Sequence, residues 1–267
     1  MKSSNIGGQA VMEGIMMRHK DKYSIAVRRP DNEIELKVED YKCVFGNAKF
    51  LKYPLIRGVV SFVDSLVVGT KCLMYSAEIA GDEEDEEDKQ KNAALSEEEL
   101  AAKKAKEDKQ FKWLLYVTVA VSIVVSVAAF MLLPYALASL CRRVGASEFA
   151  VTIVEAFVKL ALFMGYMLLI SRMKDIQRTF MYHGAEHKCI NCIEHGLPLT
   201  VENVRKSSRQ HKRCGTSFLF FVLAISIILL LLIRVESPLM RVVVRIALLP
   251  VIAGISYEVL KLAGNSE

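Results

Sequence analysis

The chain has 267 residues, 52% of them hydrophobic and 24% charged, with a formal net charge of +5. So much apolar content beside so much charge means the two are segregated in blocks, and the small net charge does not point to a nucleic-acid binder. Six cysteines over this length do not make the disulfide scaffold of a small secreted domain. Residues 1–14 lack the apolar run of a cleavable signal peptide.

In chain order, the first feature is a glycine-dense stretch, Gly7-Gly8-Gln9-Ala10-Val11-Met12-Glu13-Gly14, flanked by Arg18. It is not a Walker loop, because no Gly-Lys-Ser/Thr follows. A tight structural turn and a ligand-facing loop remain open for it, with Gln9, Glu13 and Arg18 as candidate site residues. Residues 23–38 predict a β-hairpin. Ile25 and Val27 alternate with polar neighbours, as do Ile34, Leu36 and Val38, and Pro30, Asp31 and Asn32 supply the turn. Residues 55–80 predict a mostly apolar helix, either in the membrane interface or in a core.

Residues 82–88 are seven consecutive acids, followed by an Ala/Glu/Lys-rich stretch. Such a run repels itself and buries no core, so residues 81–110 are expected to be a solvated linker. Three regions result: 1–80, a cytosolic or interfacial region; 81–110, the linker; and 111–267, a membrane domain.

Two uncharged runs, Trp113 to Cys141 and Cys214 to Ile233, reach the roughly 20 residues a spanning helix needs. Pro134 is expected to kink or end the first. Phe149 to Ser171 carries only Glu155 and Lys159, read as an ion pair inside a bundle, and Val242 to Tyr257 carries only Arg245. About four transmembrane helices are therefore expected. Five lysines between 103 and 112, nine basic residues between Arg172 and Arg213, and Lys261 face only Arg142, Arg143, Arg234 and Arg241 across the alternation. This bias predicts cytosolic termini and a cytosolic segment 172–213 in a cell membrane. The basic set Arg205, Lys206, Arg209, Lys212 and Arg213 suits anionic lipid heads, making membrane lipid the expected partner.

The chemistry falls in that segment. His183-Gly184-Ala185-Glu186-His187 matches H-x-x-E-H, which on a helix puts both imidazoles on one face as ligands for one divalent cation, zinc by ligand type. Glu186 beside them is placed to act as the base, as in the inverted zincin peptidases. His195-Gly196-Leu197-Pro198 supplies the helix stop. His211 and Cys214 are candidates for the third ligand, with Glu258 as a distant alternative. Arg213 is a candidate for stabilising developing negative charge. A rival grouping, Cys189-x-x-Cys192 with His211-x-x-Cys214, would instead make a closed structural zinc site.

The blocks Gly7 to Arg18, Tyr182-His183-Gly184-Ala185-Glu186-His187-Lys188 and Arg213-Cys214-Gly215-Thr216-Ser217-Phe218 resemble the DUF1385 or YqhQ family of bacterial membrane proteins. The likeness covers nearly the whole chain except the acidic linker. It implies a membrane setting and a predicted metal-dependent enzyme, with no established substrate. Lys212 departs from the family pattern, which has Pro there, and the pattern does not require Cys189 and Cys192. Taken together, the expectation is a mainly α, polytopic helical membrane protein with a small N-terminal cytosolic β-hairpin. Its expected function is metal-assisted hydrolysis at the cytosolic membrane face. The alternative is a non-enzymatic scaffold or assembly factor held by a structural metal.

Overall fold

The computed structural model describes residues 4–46, 48–81, 110, 113–114, 116–211, 214–233 and 238–265. The acidic run, Arg213 and Lys212 lie outside the described residues. The chain forms two compact units, one from the described parts of Met1–Gly81 and Tyr166–Glu267, the other from those of Asp82–Gly165.

The first unit opens with a four-stranded antiparallel meander: β1 (Ile6–Val11), β2 (Gly14–His19), β3 (Lys22–Arg28) and β4 (Ile34–Asp40). The expected hairpin is β3–β4, with Arg28 opposite Ile34 and Tyr23 opposite Glu39. The glycine-dense stretch is a second hairpin, β1–β2. Gly8 pairs with Met17, and the chain reverses at Met12 and Glu13, where Glu13 takes a positive φ of 49°. Glycine weakens the alternation that marks a strand, which is why this hairpin is faint in the sequence.

A helix, α1 (Ile56–Ala80), lies on one face of the sheet. Val11, Met16, Tyr23, Ile25 and Val27 bury against it together with Cys72. Each large apolar side chain so buried contributes about 1.5–3 kcal/mol before chain entropy is charged. Polar contacts fix the helix along its length. Asp64 accepts from the Tyr41 hydroxyl at 2.6 Å and from the Val44 amide at 2.9 Å. Lys71 donates to Glu39 at 2.7 Å, Tyr75 to Glu35 at 2.6 Å, and the Met12 amide to Ser76 Oγ at 3.1 Å. The charged positions of β4 thus face α1, and the apolar set Ile34, Leu36 and Val38 stands exposed on the other face.

The opposite face of the sheet carries α4 (Lys174–Glu194) over β1 and β2. Before it in the chain come α2 (Tyr116–Arg143) and α3 (Glu148–Ile170); after it come α5 (Val201–Lys206), α6 (Gly215–Leu232) and α7 (Pro238–Asn265). Pro134 does not end α2. The helix takes one wide turn at Ala128–Leu132 just before the proline and continues to Arg143, accommodating the missing N–H. In the second unit Arg142 Nε pairs with Glu148 Oε1 at 2.6 Å across the turn at Gly145, and Glu155 is buried.

The chain is thus mainly helical, with an N-terminal four-stranded sheet and, among the described residues, four helices long and apolar enough to cross a membrane: α1, α2, α3 and the Val243–Ala263 part of α7. The expected span at Cys214 to Ile233 is the apolar 18-residue α6, which is shorter than those four, and the helix expected at 55–80 meets the length and composition of a span.

Candidate functional site

The H-x-x-E-H motif sits in the second half of α4. Asp175 occupies the first turn, where a negative charge suits the helix dipole. The helix closes at Gly196, whose φ is +70°, with the amides of Gly196 and Leu197 donating to the carbonyls of Ile193 and Cys192. The helical spacing therefore turns His183, Glu186 and His187 toward one side, and Glu186 and His187 are buried.

The segment after α5 is fastened to that side by α4 itself. Asn191 Nδ2 donates to the carbonyls of Ser208 at 2.7 Å and Gln210 at 2.9 Å. His187 Nδ1 lies 2.8 Å from the Arg209 carbonyl. A carbonyl only accepts, so Nδ1 of His187 is the donor here and Nε2 is the nitrogen left for another partner. Cys214, the N-cap of α6, lies against the same histidines.

The ligand-competent atoms of His183, His187 and Cys214 all lie within 4.8 Å of one another. Zinc with nitrogen at about 2.0 Å and sulfur at about 2.3 Å keeps ligand atoms about 3.5 Å apart, so small rotations suffice to close this set on one cation. Cys214 Sγ is already 3.2 Å from His183 Nε2. Glu186 Oε2 stands 2.8 Å from His183 Nδ1 and 3.9 Å from His187 Nε2, yet it is buried with no aligned hydrogen-bond partner. A buried carboxylate oxygen whose near imidazole stands off the hydrogen-bond axis, set beside three ligand atoms, is suited to a cation or a water.

The electrostatics follow from the same contacts. The nearby Cys214 sulfur, then Glu186, push the His183 imidazole up to about 10. Burial would raise the Cys214 thiol, but His183 and the Thr216 hydroxyl and amide outweigh it and bring it down to about 6. Each group is thus shifted toward its charged form by the other, the direction of a thiolate–imidazolium pair.

Strand β1 closes the site from the sheet side. A Cβ built on Gly8 would stand 2.6 Å from Glu186 Cγ and 2.7 Å from its Cδ, so only glycine lets this strand lie against that carboxylate. Glu13 holds the strand along α4 through Arg178, with two contacts of 2.6 Å, and through the Tyr182 hydroxyl at 3.0 Å. The Arg178 guanidinium keeps the Glu13 carboxyl below its ordinary range. At the other end Ser4 donates to Glu194 Oε1 through its amide and hydroxyl, both at 2.9 Å.

The remaining candidates lie elsewhere. His211 Nε2 sits 3.3 Å from Glu194 Oε2, with its ring 5.8 Å from that of His187, adjoining the three ligand atoms without joining them. Glu258 is held in a two-pronged ion pair by Arg57. Gln9 fills the space that Gly69 leaves on α1, and Arg18 stacks over the Tyr41 ring at 3.4 Å. Cys192 is buried with its thiol toward the carbonyls of Leu197 and Pro198. Among the described residues the ligand cluster holds neither Cys189 nor Cys192. Sequence reasoning missed Asn191 and the positioning part of Gly8. Asn191 had a signal, since it lies four residues after His187 on the same helix face.

Comparison with known proteins gives a family. Residues 53–267 match the family described as "Protein of unknown function (DUF1385)". The chain is also 38% identical over 271 residues to "Uncharacterized protein YqhQ" of Bacillus subtilis (strain 168), a match covering 97% of this chain and 79% of that protein. No solved structure matches. The chain therefore belongs to the DUF1385 family.

Proposed function

We propose that the protein is a polytopic protein of the bacterial cell membrane that carries a metal-dependent hydrolase site at the cytosolic face. The observation that carries the enzymatic reading is the convergence of His183, His187 and Cys214 with the buried carboxylate of Glu186 beside them. Three protein ligands leave a fourth position open, the arrangement of catalytic rather than structural zinc. A divalent cation, zinc by the nitrogen and sulfur donors, would acidify a water and polarise a scissile carbonyl. Glu186 accepts the proton of the attacking water, His187 is held in the right tautomer by the Arg209 carbonyl, and Arg213 remains the candidate partner for developing negative charge. The ligand order makes peptide bonds the first substrate class to assay.

The membrane setting rests on the apolar helices. In this reading α2, α3, α6 and α7 cross, α6 being about 27 Å long against a hydrocarbon core of about 30 Å. The basic residues of segment 172–213 and of residues 103–112 support a cytosolic placement of both termini. The test compares two variants. His187→Ala removes a ligand, and bound metal should fall sharply; Glu186→Gln should keep the metal and lower hydrolysis by roughly 10²–10⁴-fold. Full metal content in His187→Ala would refute the site.

A second reading is favoured by the contact of Cys214 with His183. Cys214, His183 and Glu186 line up as nucleophile, base and orienting carboxylate, with the thiol at the N-terminus of α6. In a thiol mechanism Cys214 would form a thioester with the acyl group, His183 would protonate the leaving group, and water would then release the acid. His187 separates the two readings, because the thiol mechanism does not use it.

A further inference from the structure

The helix α1 is long and apolar enough to cross a membrane, but its contacts are those of a helix lying along one. We infer that α1 rests in the plane of the membrane–water interface, with a lipid surface as the partner of its outward face. This rests on the reading that α6 and α7 cross the bilayer.

Three observations carry it. The first is where α1 begins. Gly58 meets α7 at Gly254 and Tyr257, where a Cβ would stand 3.0 Å from the Gly254 Cα, and Arg57 grips Glu258. All three partners lie in the last part of α7. One turn later Phe62 packs its ring 5.7 Å from that of Phe218, in the first turn of α6. The N-terminal end of α1 thus touches the same end of the α6–α7 pair on both helices.

The second is where α1 goes next. From Asp64 to Ser76 it is tied to the sheet and the segment after it, through Tyr41, Val44, Glu39, Glu35 and Met12. Crossing the bilayer along this length would carry Glu35, Lys37, Glu39 and the whole polar sheet into hydrocarbon, where ionised side chains and unpaired strand edges are penalised.

The third is what α1 leaves uncovered. Its buried positions are Gly58, Asp64, Gly69, Cys72 and Ser76. Beside and across from them stand Leu66 at 53% exposure, Val67 at 48% and Leu73 at 43%, with Met74, Phe62 at the edge towards Phe218, and Thr70 as a polar residue among them. Positions 62, 66 and 73 share one face by helical spacing. A helix with one face anchored to a polar domain and the other bare and apolar is the form that beds into the boundary between headgroups and acyl chains. Tyr53, 63% exposed just before α1, is the residue type that marks such a boundary. The apolar face continues from the ends of α6 and α7, so the bilayer that surrounds those helices reaches it directly.

Tryptophan quenching tests this on the full chain. Trp113, the single native tryptophan, is replaced by Phe. Leu66→Trp, Leu73→Trp and, as a reference in α6, Ile228→Trp are then made separately and reconstituted in vesicles of phosphatidylcholine and phosphatidylglycerol. The acyl chains are brominated either near the headgroup or near the chain end. The expected result is stronger quenching of positions 66 and 73 by the shallow bromines, to similar extents, and of position 228 by the deep ones. Deep quenching at 66 and 73, with 228 also deep, would overturn the interfacial placement alone and make α1 a span. Absence of quenching at 66 and 73 would show a face covered by protein and would overturn it too. Absence of deep quenching at 228 would remove the membrane reading and this inference with it. Met74→Trp, on the outward side of α1, repeats the measurement if Leu73→Trp does not fold.

Discussion

Gly8 on β1 faces the carboxylate of Glu186 on α4 so closely that a Cβ on Gly8 would stand 2.6 Å from the glutamate Cγ. The sheet therefore shapes the site, and Gly8→Ala should disturb Glu186 first. The crowding is expected to cost about 1–3 kcal/mol of stability, as overpacking in a filled region does. If the histidine and cysteine ligands stay in place, metal content should hold while hydrolysis falls by about 10²-fold, the usual effect of a displaced catalytic group. Thermal unfolding, metal analysis and an activity assay on one preparation check all three.

Asn191 is expected to act on Cys214 through the 208–210 segment. Removing its side chain in Asn191→Ala takes the amide donor from the carbonyls of Ser208 and Gln210, the latter keeping only the Ser208 hydroxyl at 3.5 Å. A cost of about 1–3 kcal/mol is expected, with weaker metal retention against a chelator. Unchanged retention would mean that Cys214 is positioned by α6 alone.

Glu258→Gln should leave the metal content as it is, since Glu258 is held by Arg57 in an ion pair apart from the cluster. Metal loss in this variant, measured beside His187→Ala, would return Glu258 to the ligand set.

The thiolate–imidazolium pair gives the metal-free protein a distinct pH profile. Cys214, brought down to about 6 where an ordinary thiol titrates near 9, should react with iodoacetamide at half its maximal rate near pH 6. The stability sign follows from each group. The lowered thiol contributes stability that is lost as pH falls through about 6, and the raised imidazole contributes stability that is lost as pH rises through about 10. The two are one interaction, so its contribution should be level between the unfolded values of 6.5 and 9.0 and decline on both sides. Added zinc should protect Cys214 from alkylation if the metal reading holds. Peptide mapping after labelling separates Cys214 from the other five cysteines.

Where sequence gave a local signal, the fold was legible. The β3–β4 hairpin announced itself by alternation and by Pro30-Asp31-Asn32, and the α4 stop by Gly196 and Pro198. The β1–β2 hairpin was hidden because Gly7, Gly8 and Gly14 dilute the strand pattern, and the reason for Gly8 lies 178 residues away at Glu186. Helical spacing was enough to pair His183 with His187. The choice between His211 and Cys214 was not readable, because it depends on contacts distant in sequence: His211 lies against Glu194, and the Cys214 sulfur lies against His183. Glu258 looked suitable by its place near the cytosolic end of the last expected span; its partner Arg57 is 201 residues distant in the chain.

X-ray absorption at the metal edge of protein purified with its native cation tests the central claim most directly. The account predicts one divalent ion per chain, with two imidazole nitrogens at about 2.0 Å, a single sulfur at about 2.3 Å and one light atom in the open position. In Cys214→Ser the sulfur contribution should disappear. Two or more sulfurs per ion, surviving in Cys214→Ser and lost in Cys189→Ser or Cys192→Ser, would contradict the site and establish a closed structural centre instead; protein purified with no bound metal would contradict it as plainly.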